Sequence, residues 1–431
     1  LVTHKWSFVA GGVFVGKLAR GVAVIGAGMS KFGAFPDKTT RELFVEAFTE
    51  AVNSVDKGIE TKEIEALFLG NFSNDIFEGQ VHTGPLMADM VGVTPGPAMR
   101  IEDACASSGV AFRLGVLAVA SGAHDVVCVG GVEKMTNLET SRVTDVLASA
   151  ADATYEFPAG ATFPGLYAEI ANAHMKKYGT TVEQLRMVGI KNHENGALNP
   201  KAQFQSTIRD IMKSRIERAR AKGLPVPSWK DEMDFLSDPM ANPIVAWPLR
   251  LFDCSPITDG ASAVILAAEE VARRFTDTPI HVIGTGQGSD SLALHDREEF
   301  TSLRAARIAA REAYRMAGLE PRDIQIAEVH DCFTIAEIVA TEDLGFFKPG
   351  EGGRAVEEGL TRRNGEKPIN TSGGLKAKGH PVGASGAAQV VEIWHQLRGE
   401  AGARQVPGVE VGLTHNVGGS GASCVVHIFR R

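Results

Sequence analysis

One of the five cysteines among the 431 residues stands in a setting that suits chemistry. Cys105 lies in DACASSG (103–109), directly ahead of an apolar, helix-like stretch. A thiol at a helix N-terminus is stabilised as thiolate by the helix dipole and free N–H groups, which lower its pKa. The small residues Ala104, Ala106, Ser107, Ser108 and Gly109 leave room beside it for an acyl group. Taken alone, Cys105 reads as a buried structural thiol, the usual fate of a free cysteine. Three later motifs change that reading: HDCF (330–333), GHPVGASG (379–386) and HNVGG (415–419). Two thiols, two imidazoles and glycine-rich backbone are the groups needed to form and break thioesters.

Each motif supplies a distinct part. Pro381 stiffens the loop after His380 and fixes the direction of that imidazole, which can take a thiol proton or donate to a thioester oxygen. HDCF closes the strand-like run IQIAEV (324–329), where sites in α/β sheets collect. Continued as a strand, it would put His330 and Cys332 on one face and Asp331 on the other. A thiol with a pKa of about 8.5 suits the removal and return of a proton alpha to a thioester. His330 would anchor a water or hold an oxyanion, and Asp331 reads as a packing or turn residue. HNVGG reads as a glycine-rich turn after a strand. Its backbone N–H groups, with that of Cys105, would form an oxyanion hole. Cys128 and Cys424 sit in apolar runs and are expected to be buried and inert. Cys254 reads as a loop residue, and His193 either lines a pocket or is a satisfied loop histidine.

The elements that position these motifs form a diverged repeat. VAVIGAG from Val22 resembles HVIGTGQG from His281, 259 positions later. IEALFLGNF from Ile64 resembles IQIAEVHDCF from Ile324, 260 positions later. Each half carries an amphipathic helix between these runs. DACASSG and its helix match GHPVGASG and its helix, and DVVCVGGVE matches VEVGLTHNVGG. Alternating strands and helices predict α/β layers, with the halves related by a pseudo-twofold axis and the motifs meeting at their junction. The expected organisation is an N-terminal extension (1–20), a first half (21–136 and 256–275), an insertion (137–255) and a second half (276–431). VIGAG and VIGTGQG fall short of a dinucleotide fingerprint.

Composition sets the class. A hydrophobic fraction of 44%, a charged fraction of 22% and a net charge of −8 describe an ordinary globular enzyme and give no basic face for nucleic acid. No apolar run is long enough to span a membrane. An odd cysteine count without CxxC spacing argues against a disulfide framework or a zinc site and for a reducing, cytoplasmic setting. The basic stretch KSRIERARAK (213–222) reads as a solvated helix face, with single Lys or Arg residues as candidate phosphate contacts.

Together the four motifs resemble the thiolase superfamily over residues 21–431, most closely its sterol-carrier-protein and archaeal acetyl-CoA acetyltransferase branch. Conventional members carry NEAF where this chain has HDCF, and CxG where it has HNVGG. Asn416 thus stands in the place of the second catalytic cysteine, and Cys332 replaces the lost thiol. The resemblance implies a five-layer αβαβα fold with an inserted loop domain over CoA. It implies Cys105 as nucleophile, His380 as its base and His330 at an oxyanion site. Cys332 would be the acid/base, the backbone of Cys105 and Gly418 the oxyanion hole, and Ser385 a CoA contact. No metal and no cofactor are implied, since CoA and acetyl-CoA are substrates. A homodimer or dimer of dimers follows from the resemblance. So do a zinc-ribbon/OB-fold protein and a hydroxymethylglutaryl-CoA synthase as partners, in the mevalonate pathway. Acetoacetyl-CoA is the expected product. Alternatives are cleavage of longer or branched 3-ketoacyl-CoA, a β-ketoacyl synthase or aldolase activity, and a non-catalytic acyl-CoA-binding subunit.

Overall fold

A computed structural model describes residues 17–431. Most of the extension expected at 1–20 lies outside the described residues. Its end is tied to the fold, because Leu18 packs on the core and Arg20 bonds Asp125 (2.7 Å) and Glu270.

The short apolar runs form one nine-stranded sheet: β1 Val22–Met29, β2 Ala66–Gly70, β3 Ala98–Ile101, β4 Val126–Glu133, β5 Gly260–Ala268, β6 Ile280–Ser289, β7 Ile326–Glu328, β8 Val411–Gly418 and β9 Ser423–Arg430. Their order is β3-β2-β4-β5-β1-β6-β9-β8-β7. Read outward from the β1–β6 junction, the first half runs β1-β5-β4-β2 and the second β6-β9-β8-β7. The segments paired by sequence therefore fall at matching places. Parallel β2–β4 corresponds to parallel β7–β8, and both junction strands are antiparallel to their neighbours.

Helices fill the layers around these half-sheets. The first outer layer is α1 (Thr40–Asn53), started by a capping box at Thr39 and burying Leu43, Phe44, Ala47, Phe48 and Ala51 against the first half-sheet. Between the half-sheets lie α2 (Ser107–Ala120) and its counterpart α8 (Ser385–Arg398), which share one core with both sheets. On the far side lie α6 (Arg304–Ala317) and α7 (Thr334–Asp343).

The glycines of the two VIG motifs serve this packing. A Cβ at Gly28 would stand 2.4 Å from the Ala51 amide of α1, and one at Gly286 would stand 2.1 Å from the Ala309 carbonyl of α6. Any side chain there would push helix from sheet.

The insertion is helical: α3 Phe163–Tyr178, α4 Val182–Gly196 and α5 Ile208–Ala221, with short pieces between. It returns to the core where Ser255 N–H donates to Cys332 O (2.9 Å). Among the described residues, no helix is long and apolar enough to cross a membrane.

Two local expectations change. HDCF does not continue its strand: β7 stops at Glu328, and residues 329–333 form the loop into α7. HNVGG is mostly strand, because His415 to Gly418 pair with Val426 to Ser423 of β9 and the turn begins only at Gly419.

Candidate active site

The cysteine loop is shaped by an unusual backbone. Ala104, just before Cys105, has φ 47°, a left-handed conformation that costs a non-glycine residue about 1 kcal/mol. The loop holds it with two short turns: Ala106 N–H donates to Asp103 O (2.9 Å) and Ser107 N–H to Ala104 O (3.2 Å). Ser107 Oγ adds a bond to Ala104 O (2.6 Å) and accepts from Asp103 N–H (3.0 Å). These turns use N–H groups that sequence reasoning assigned to thiolate stabilisation. Burial then dominates, and the Cys105 thiol is pushed up to about 12, with the Gly419 N–H opposing the shift. The expected lowering of its pKa is thus not what the resting loop provides.

Two imidazoles face this thiol. Ligand atoms of Cys105, His330 and His380 lie within 4.8 Å of one another, and the two rings meet edge to face at 5.2 Å. His380 is delivered by Gly379, whose φ of 116° favours glycine and where a Cβ would meet Thr258 Cγ2 at 2.8 Å. The His380 N–H donates to Thr258 Oγ1 (3.0 Å). Its Nδ1 lies 2.6 Å from Ser385 Oγ, and that hydroxyl donates to Pro381 O (2.9 Å). A hydroxyl whose proton is spent on a carbonyl accepts from the ring, so His380 carries its proton on Nδ1 and leaves Nε2 as a base.

His330 has the opposite tautomer. Asn416 Nδ2 donates to Cys105 O (3.0 Å) and lies 3.2 Å from His330 Nδ1. The amide nitrogen can only donate, so His330 Nδ1 accepts and its proton is on Nε2. That Nε2 is buried and has no partner among the described residues. Burial holds both rings neutral: His380 is lowered to about 3 and His330 well below its usual value, with His380 and His415 adding to the effect on His330. One imidazole offers a lone pair and the other an N–H. The spacing of the trio would also suit a soft cation. With those tautomers only His380 and a Cys105 thiolate offer lone pairs, half of what a structural zinc site takes.

Cys332 is buried and its thiol is pushed well above its ordinary value, chiefly by desolvation and next by Cys105. The Gly419 N–H, where the turn opens with φ 60°, meets the Cys105 sulfur; Gly418, expected to hold the acyl oxygen, stands just before it as the last residue of β8, paired with Ser423. Ser385 also differs from expectation. Its hydroxyl is buried and bonded to His380 and Pro381, so it orients the base rather than facing CoA.

The remaining candidates fall as follows. Cys128 and Cys424 are buried, and Cys254 is half-buried, lining an apolar cavity of about 140 Å³ with Met135, Leu147, Phe163, Phe333 and His380. His193 is buried on α4, tied to Ser206 O (3.0 Å) and 3.3 Å from Lys376 Nζ. Asp331 packs as expected, accepting from Leu375 N–H (2.6 Å) and Asn192 Nδ2 (2.7 Å), and burial raises it to about 7.

Sequence reasoning missed Glu133 and Tyr167. Buried Glu133, at the end of β4, accepts from Phe72 N–H (2.8 Å), Ser73 N–H (3.1 Å), Asn71 Nδ2 (3.1 Å) and Gly383 N–H (3.0 Å). It ties the His380 loop to the first half. A lone acid ending an apolar strand was its one signal.

The thiolase N-terminal domain model matches residues 22–270, and the thiolase C-terminal domain-like model matches residues 286–431. An acetyl-CoA acetyltransferase of Methanothermobacter thermautotrophicus is 49% identical over 96% of this chain and 100% of its own length. One of Methanocaldococcus jannaschii is 42% identical over 95% and 98%. Sterol carrier protein 2 of Oryctolagus cuniculus is 31% identical over 94% of this chain and 71% of its own. Among solved structures, the Ltp2-ChsH2(DUF35) aldolase superposes with TM-score 0.76 at 22% identity, covering 94% of this chain and 97% of that one. Human mitochondrial 3-ketoacyl-CoA thiolase superposes with TM-score 0.66 at 18% identity, covering 96% and 99%, so the fold is shared. Two family models across nearly the whole chain, and full-length relatives above 40% identity, establish that this chain belongs to the thiolase family.

Proposed function

We propose that this protein is an acetyl-CoA C-acetyltransferase that makes or cleaves acetoacetyl-CoA through an acyl-Cys105 intermediate. The observation that carries the reading is the neutral trio, a thiol between an imidazole that accepts and an imidazole that donates. The archaeal relatives named acetyl-CoA acetyltransferase support the substrate.

The chemistry follows from the tautomers. His380 Nε2 takes the Cys105 proton as sulfur attacks the acetyl carbonyl. The backbone N–H groups of Cys105 and Gly418 hold the oxyanion, and the proton passes to departing CoA. A second acetyl-CoA then places its thioester oxygen against the His330 Nε2 proton. The Cys332 thiolate takes a methyl proton, the resulting enolate attacks the acyl carbon, and the bond to Cys105 breaks. Cys332 is a thiol at rest and gives up its proton to become that thiolate; the departing Cys105 sulfur takes up a proton in its place, so both cysteines end as thiols. Two half-reactions through one covalent intermediate give ping-pong kinetics. This sequence of steps calls on no metal or redox cofactor.

The small apolar cavity beside His380 favours a short acyl group over the longer or branched 3-ketoacyl-CoA of a degradative thiolase. A cytoplasmic, homo-oligomeric enzyme of the mevalonate pathway completes the proposal. The aldolase neighbour named with a DUF35 chain supports an accessory partner. A zinc-ribbon/OB-fold protein and a hydroxymethylglutaryl-CoA synthase are the proposed ones.

The test is CoA-dependent loss of acetoacetyl-CoA absorbance in wild type, Cys105→Ala and Cys332→Ala. Turnover should fall at least ~10³-fold in both. Acetyl-CoA should still acetylate Cys105 in Cys332→Ala. A wild type that binds acetyl-CoA without turning over would leave the non-catalytic subunit as the better reading.

A further inference from the structure

Tyr167 belongs to the insertion, in the second turn of α3, yet its hydroxyl reaches the reaction centre. The residue is 1% exposed. Its ring lies on Phe333, the neighbour of Cys332, with centroids 4.8 Å apart. Its hydroxyl donates to Gly419 O at 3.2 Å and also lies beside the Cys332 thiol, to which it can donate when that sulfur is ionised. Gly419 is the residue whose N–H meets Cys105. One phenol therefore stands against both thiol environments. On the far side of the turn, buried Arg297 donates to Ser420 O (2.6 Å) and Ser420 Oγ (3.0 Å), which fixes the carbonyl that aligns the phenol.

We infer that Tyr167 is a positioning residue for the second thiol, turning its single phenolic proton from Gly419 O to Cys332 when that sulfur becomes the thiolate that abstracts the methyl proton. The need is physical. A thiolate buried among Phe333, Val329 and the carbonyls of this loop has lost its water, and charge without a donor is costly there. Phenols are strong donors to anionic acceptors. A rotating hydroxyl also lets the resting thiol exist with no buried group left unpaired. The phenol never exchanges its proton with substrate. It selects which protonation state of Cys332 the pocket tolerates.

This inference rests on the acetyltransferase reading, and its test separates the two. Wild type and Tyr167→Phe are compared in three measurements: acetylation of Cys105 by acetyl-CoA, exchange of acetyl-CoA methyl protons with D₂O, and the pH profile of turnover. The expected result is Cys105 acetylation within about twofold of wild type and proton exchange and turnover lowered by ~10- to 100-fold. The rise of activity with pH should move to higher pH, because losing the donor raises the Cys332 pKa. In a Cys332→Ser background the same substitution should add little.

An unshifted pH profile with wild-type exchange overturns the inference. So does parallel loss of Cys105 acetylation in a protein of unchanged Tm, which would assign Tyr167 to the Gly419 turn alone. An inactive wild type would instead sink the acetyltransferase reading. Should Tyr167→Phe not fold, 3-fluorotyrosine incorporated at the four tyrosines carries the test. A more acidic phenol of the same shape must move the profile to lower pH, and an unmoved profile overturns the inference.

Discussion

The Cys105 loop and the His380 loop stand at equivalent places in the two halves, each after a glycine-rich approach and ahead of a central helix, but they are held differently. The Cys105 loop is internally strained and is tied to the other half by Asn416 of β8 at the Cys105 carbonyl and by Ser423 of β9 at the Asp103 carboxylate. The His380 loop is bonded throughout, through Thr258 at the backbone, Ser385 at the ring and Glu133 from β4 of the other half. Each half thus clamps the reactive loop of its partner. A symmetric scaffold carries asymmetric chemistry because the clamps differ in type. An amide that donates sets one histidine as a proton donor, and a hydroxyl that accepts sets the other as a base.

The broadest challenge to this picture is acid, since both loops depend on imidazoles that stay neutral. His193, His380, His415 and His427 are lowered by burial to about 3, and His330 well below its ordinary value. Each stabilises the fold fully above the unfolded value of about 6.5, and that stability is lost as pH falls toward 3. Buried Glu133, Asp331 and Asp343 are raised to about 7, so they act in the opposite sense, adding stability as pH falls from about 7 to 4.5. The two sets partly offset each other down to about pH 4.5, and below it, as these three carboxyls become protonated in both states, the histidines dominate among these buried groups. Tm against pH should decline gently to that point and then collapse, by up to ~1.4 kcal/mol per histidine per unit. A Tm that stays level down to pH 3 would show that these rings are not held neutral.

Breaking the clamp on the cysteine loop comes next. Asn416→Ala frees Cys105 O and removes the donor that fixes the His330 tautomer. kcat/KM should fall ~10- to 100-fold, with condensation hurt more than Cys105 acetylation. Equal loss in both half-reactions would mean that the amide only holds the loop.

Glu133→Gln exchanges one acceptor for a donor amid four converging N–H groups. A cost of about 1–3 kcal/mol in urea unfolding is expected, together with poorer His380 alignment. Unchanged stability would make the cross-half tie dispensable.

Ser385→Ala is the smallest change. The ring loses its acceptor at Nδ1 but keeps the Thr258 anchor, so a ~3- to 10-fold drop in kcat with KM little altered is expected. A large rise in the KM for CoA alone would restore Ser385 as a ligand contact.

Much of this molecule was legible in its residues because the signals were local. Short apolar runs with the same order in both halves gave the strands, and the 259-residue offset gave the twofold arrangement that the β1–β6 junction displays. Cys105 and His380 could be singled out because each stands in a string of glycine and other small residues, and His330 and Cys332 because HDCF sets an imidazole and a thiol two positions apart at the end of a strand-like run. The errors had local causes too. Glycines in HNVGG suggested a turn from His415, four residues before it begins at Gly419, because a ladder partner at Ser423 can extend a strand through glycine. Ser385 looked like a ligand contact because a hydroxyl near a site advertises no direction. Tyr167 sat in a helical insertion that carried no motif, 165 residues before Cys332.

By itself, then, the sequence determined the alternation of strand and helix, the duplication, and the identities of the thiols and imidazoles. Those depend on periodicity and on side-chain chemistry, which the chain carries locally. Only the tertiary structure decided which ring nitrogen holds a proton, that the nucleophile rests as a thiol, that the Gly419 N–H meets its sulfur, and that Tyr167 joins the site. Each of these depends on burial and on hydrogen bonds between segments up to 311 residues apart, such as Asn416 to Cys105, and no local pattern encodes such a meeting.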